Sequence, residues 1–115
     1  MNYSGNSGNG FHYDFVTDGK GYRWMGPDVT YYSPRYKKSL TLRHLFYSDG
    51  STGWLDIVSR YWWYHDTACQ TKKWDDGSEC TRWQASQVLG DIAREDGCMV
   101  AGTLGVVATW LAGAL

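Results

Sequence analysis

His65, Asp66, Cys69 and Cys80 are the side chains in this sequence best suited to chemistry. A cysteine and a histidine act as nucleophile and base when folding brings them together. Two cysteines with a histidine can supply three ligands to zinc, but the chain holds no CxxC or HxxxH spacing to support that use. Closeness in sequence does not set closeness in space, so the favoured reading is plainer: a disulfide beside an exposed His65. Cys69 and Cys80 bracket the polar stretch QTKKWDDGSE, which a disulfide can close. Cys98 completes the three cysteines, and an odd number leaves a thiol free or bonded to another chain. Three buried, unreactive thiols are the alternative.

Asp75, Asp76 and Glu79 cluster around Gly77. They have the chemistry of a calcium loop without its DxDxDG spacing, and carboxylates at the start of a helix are expected on electrostatic grounds. Paired carboxylates for glycoside hydrolysis can be drawn from Asp14, Asp56 or Asp66. No G-x-S-x-G, phosphate-cradling glycine loop or HExxH occurs. No metal or cofactor is expected, and the sequence favours a protein that is not an enzyme.

Aromatic residues make up 17% of the 115 residues, with seven Trp and nine Tyr. Tyr61-Trp62-Trp63-Tyr64 is the densest run. In a strand with one buried face, two of these four must face outward. Outward rings at Trp62, Trp63 and Tyr64, joined by Trp74, are candidates to stack on sugars or to sit at a lipid headgroup layer. Nucleic acid is the weakest ligand for them, because a net charge of −1 supplies no basic excess. The competing reading covers both sheet faces and makes the rings core.

The elements that must position these groups follow from periodicity. Residues 1–10 are polar and rich in Gly and Asn, and read as a disordered arm before a single domain over 11–115. Residues 11–17 alternate as a strand, Asp18-Gly19 marks a hairpin turn, and residues 22–25 and 29–32 continue the strands. Residues 39–47 read as the clearest strand; 53–65 fit either period, with strand preferred for their aromatic content, and 65–78 read as a loop. Ser78 caps a helix over 79–95 whose apolar stripe is Ala85, Val88, Leu89, Ile92 and Ala93. A last helix over 97–114 is free of charge. Ala101, Gly105, Ala108 and Ala112 give it a close-packing face, and a stripe of Val and Leu lines the other side. Some other surface must shelter this helix: the preceding chain, a further copy or a membrane. The expected class is α+β, an aromatic-rich antiparallel sheet over 11–64 packed on a C-terminal helical hairpin.

The segment Cys80…Gly90-Asp91-Ile92-Ala93…Asp96-Gly97-Cys98 with its apolar tail resembles the C-terminal third of small secreted fungal proteins of the killer-toxin-like and effector kind. The resemblance implies strands paired with helices, disulfides and secretion. With no signal-like apolar stretch at the start, a secreted form would begin after a removed leader. The leading expectation is therefore a secreted toxin- or effector-like protein that binds a target-cell surface glycan or membrane. A second processed chain or a homo-oligomer is left open by the odd cysteine. The alternatives are a carbohydrate-binding module, and a small hydrolase built on His65, Asp66 or the other carboxylates.

Overall fold

The computed structural model describes residues 14–48 and 60–96. Its first turn is made by Asp18, whose carboxylate Oδ1 accepts from the backbone N–H of Lys20 at 2.9 Å and of Gly21 at 3.0 Å. Gly19 beside it takes φ 86, which a residue without Cβ adopts freely. This turn joins strands β1 (Phe15–Thr17) and β2 (Tyr22–Trp24), which pair antiparallel with Phe15 opposite Trp24. The other edge of β2 pairs with β5 (Tyr47–Ser48), so the sheet runs β1-β2-β5.

Gly21 is where that sheet is tightest: a Cβ there would stand 2.5 Å from the backbone oxygen of Ser48. Backbone cannot swing aside as a side chain can. Gly21→Ala is expected to lower stability by about 1–3 kcal/mol, the usual penalty of overpacking. Urea unfolding measures it, and an unchanged midpoint would show that β5 is free to shift.

A second, two-stranded sheet holds β3 (Val29–Ser33) and β4 (Lys38–Leu42), with Val29 opposite Leu42 and Ser33 opposite Lys38. Val29, Tyr31 and Ser33 point inward while Thr30 and Tyr32 face out, the alternation of a half-buried strand. The strand expected over 39–47 stops at Leu42, and its end becomes β5 in the other sheet. Asp28 is the reason. Its carboxylate takes the backbone N–H of His44 at 2.8 Å and the Arg43 guanidinium at 3.0 Å, and Leu45 turns through φ 69. The strands therefore form two sheets rather than one.

Two helices follow, α1 (Arg60–Thr71) and α2 (Arg82–Glu95), packed on each other, with α1 also against β4 and β5. The α+β expectation holds: antiparallel strands, then a helical pair. The expected strand and loop over 60–71 are a helix instead. Trp62, Trp63, Tyr64, Thr67 and Ala68 are all buried, so this helix is covered nearly all round and carries no single stripe to read. Lys72, at φ 58, ends it and returns its N–H to the Ala68 oxygen at 2.9 Å.

The second helix starts at Arg82 rather than near Glu79. Thr81, not Ser78, is its cap: the Thr81 hydroxyl accepts from the Gln84 N–H, and Gln84 Oε1 accepts from the Thr81 N–H, each at 3.1 Å. Such a reciprocal cap contributes about 1 kcal/mol. Its stripe of Ala85, Val88, Leu89, Ile92 and Ala93 is buried as expected.

Aromatic rings fill the centre. Trp63 meets Trp24 at 5.8 Å, Phe15 at 6.0 Å and Phe46 at 6.4 Å, and Tyr31 meets Tyr64 at 5.6 Å. Tyr64 donates its hydroxyl to the Val29 oxygen at 2.8 Å, which hangs α1 on β3. Arg35 grips Asp91 through two hydrogen bonds of 2.8 and 2.9 Å and ties the β3–β4 turn to α2.

Candidate functional site

A helix at 60–71 changes the meaning of two residues. His65 and Cys69 stand four apart, so one turn brings them onto the same face. The Cys69 sulfur lies 3.6 Å from His65 Nε2. The imidazole is buried with Trp62 packed across it at 5.4 Å, while Cys69 is exposed. The other ring nitrogen, Nδ1, makes no hydrogen bond; Asp66 Oδ1 stands 3.8 Å from it, within ion-pair reach. Asp66 is in turn held by the Ser48 hydroxyl on β5, which donates to Oδ2. Carboxylate, imidazole and thiol thus follow one another along a single helical turn, with a buried strand residue anchoring the first.

Burial opposes a charge on His65, but the neighbouring Asp66 carboxylate and the Cys69 sulfur outweigh it and raise its pKa to about 9. At neutral pH the imidazole therefore carries its second proton.

Cys69 opens into a groove of about 490 Å³ between the end of α1 and the start of α2. Ala68, Lys72, Cys80 and Trp83 are among its walls. Thr81 and Arg82 also line it, so α2 presents the positive end of its dipole there. Cys80 is the buried thiol of this groove; burial chiefly, and Cys69 after it, push its pKa up to about 11.

The disulfide favoured between Cys69 and Cys80 is not formed: both are free thiols. His65 is buried, not exposed, because α1 turns it under Trp62. The aromatic candidates are corrected too. Trp62, Trp63, Tyr64 and Trp74 are at most 2% exposed, so none offers a face to a sugar or lipid. A helix wedged between the sheets and α2 has no outward strand face on which to put them.

Among the described residues no group of three His, Cys, Asp or Glu side chains is arranged for a metal ion. Two carboxylates of the acidic cluster are occupied with folding: Asp75 accepts from Thr41 at 2.6 Å and Asp76 from the Ser78 N–H at 2.8 Å, while Glu79 pairs with Lys73 through its backbone and lines the groove. Cys98 and the packing face of Ala101, Gly105, Ala108 and Ala112 lie outside the described residues, as do residues 1–10 and Asp56. No described helix is long and apolar enough to cross a membrane.

Sequence reasoning named His65, Asp66 and Cys69 but could not join them. Helical spacing would have done so, and the strand reading hid it. It missed Ser48, Trp62 as a lid on the imidazole, and the groove walls at Lys72 and Trp83, since these partners come from distant parts of the chain. No family model, curated protein or solved structure matches this chain.

Proposed function

We propose that the chain is a small thiol hydrolase of acyl compounds, with Cys69 as nucleophile and His65 as the proton carrier. One observation carries the reading: the contact of Cys69 Sγ with His65 Nε2 at 3.6 Å, at the mouth of a groove. The thiolate is the reactive form of cysteine, and a charged imidazole beside it is the arrangement that supports it.

Cys69 attacks the carbonyl carbon of an acyl substrate lying in the groove through its thiolate form, with the charged His65 beside it. The carbonyl electrons move onto oxygen, where the positive end of α2 favours the developing charge. His65 then gives its proton to the departing oxygen or nitrogen as the bond to it breaks. A water attacks the resulting thioester, its proton passes to His65, the C–S bond breaks, and the acid leaves with the Cys69 thiolate restored beside the charged imidazole. Asp66, steadied by Ser48, favours the charged imidazole throughout.

Hydrolysis of an aryl ester tests this. Turnover is expected in the native chain, to be abolished in Cys69→Ala, and to fall about a hundredfold or more in His65→Gln, the usual worth of a positioned acid–base group. Circular dichroism shows whether each variant keeps its fold. Ester cleavage no faster than that by free cysteine, or unaffected by Cys69→Ala, would remove the reading.

A further inference from the structure

We propose that Cys80 is the resolving thiol for Cys69, so that a hydroperoxide closes a reversible Cys69–Cys80 disulfide across the groove and silences the site. The inference rests on the reading of Cys69 as an activated thiol and adds a regulation to it.

Both cysteines line the same groove, along with Ala68. Two backbone bonds hold their carriers together. Lys72 N–H returns to Ala68 O at 2.9 Å, and Cys80 N–H donates to Lys72 O at 2.9 Å, which lays Cys80 beside the last turn of α1. The β-bridge of Lys73 with Glu79 and the turn at Gly77, φ 87, fix that return. The bonds set Cys80 against Lys72, three residues past Cys69 and just beyond the end of the same helix, and a disulfide between the two cysteines asks for Cα atoms about 4.4–6.8 Å apart.

The two thiols have opposite characters, and this sets which of them meets the peroxide. Cys69 is exposed and touches the imidazole; Cys80 is buried and keeps its proton at neutral pH. Oxidation therefore falls on Cys69 first. Its sulfur takes one peroxide oxygen, the O–O bond breaks, and a sulfenic acid results together with one water from hydrogen peroxide, or one alcohol from an organic hydroperoxide. The Cys80 sulfur then attacks the Cys69 sulfur; the hydroxyl leaves with the Cys80 proton as water, and the S–S bond remains. Two thiols have been oxidised and one peroxide reduced. A thiol reductant reverses the bond.

The test uses the Cys98→Ser chain, so that only these two cysteines are present, treated with a small excess of hydrogen peroxide. The expected result is a loss of two hydrogens in intact mass, restored by dithiothreitol. Trypsin cuts at Lys72 and Lys73, between the two cysteines, so the peptides carrying Cys69 and Cys80 travel together only when bonded. In a Cys80→Ala variant the sulfenic acid at Cys69 should persist and be trapped by dimedone. On the Cys98→Ser chain itself, a sulfenic acid at Cys69 that dimedone traps while no internal disulfide forms, or a bond only between separate chains, would overturn the proposal, whether or not Cys80→Ala folds. An internal disulfide in a chain with no esterase activity would keep this inference and remove the hydrolase; an active chain that peroxide leaves unchanged would do the reverse.

Discussion

Trp63→Ala is expected to destabilise the domain by about 3–5 kcal/mol, the cost of emptying a large buried aromatic site. Domains of this size hold only about 5–15 kcal/mol in total, so a large share of the variant would be unfolded at growth temperature. The ring is fully buried and touches Trp24 on β2, Phe15 on β1 and Phe46 before β5. No neighbour can collapse into the space without dragging a strand. Trp63 Nε1 has no hydrogen-bond partner, a buried donor that already costs the fold. Trp63→Phe should therefore lose well under half as much as Trp63→Ala, because it discards the orphan N–H along with part of the ring. Trp83→Ala is the control, since that ring is 44% exposed at the groove rim. Denaturant midpoints for the three variants decide the matter; equal losses at Trp63 and Trp83 would show that the rings of the centre do not hold the strands to α1.

The second large effect is a dependence of stability on pH. His65 holds its proton more tightly folded than unfolded, with a pKa of about 9 against an ordinary 6.5. The proton therefore stabilises the fold in full below about pH 6.5, and that contribution is lost as pH rises through about 9. At about 1.4 kcal/mol for each tenfold change in proton affinity, the loss is about 3 kcal/mol. Cys80 adds to it in the same direction only above about pH 9, as the unfolded thiol ionises before the buried one. Unfolding followed from pH 6 to 9 should show a steady fall in the native chain and a nearly level line in His65→Gln. Cys69→Ala should lie between them, since the Asp66 carboxylate still faces the ring. A native chain that grows more stable over this range would mean that the imidazole is neutral when folded, and the proton-carrier role would fall with it.

Much of α2 was legible along the chain. Its stripe of Ala85, Val88, Leu89, Ile92 and Ala93 recurs at helical spacing because one face is dry and the other wet, and that contrast is written in residue order. The hairpin turn at Asp18-Gly19 was legible too, since a short carboxylate and a residue free to take φ 86 make a turn without help from elsewhere. The first helix was not. Trp62, Trp63 and Tyr64 are consecutive and all buried, so neither the period of a helix nor that of a strand shows through. The cap at Thr81 was missed for a related reason: Ser78 has the same chemistry, and only the bridge of Lys73 with Glu79 keeps the chain extended past it.

Residue types alone determined the α+β class and the shortlist of His65, Asp66, Cys69 and Cys80. Tertiary structure decided what these do. It turned the rings inward, left the two thiols unbonded, set Cys69 against His65 and drew Ser48 to Asp66. Periodicity records which side of a segment avoids water. It holds no record of which distant segment will supply the cover, and a site assembled from a helix, a strand end and the start of another helix depends on that.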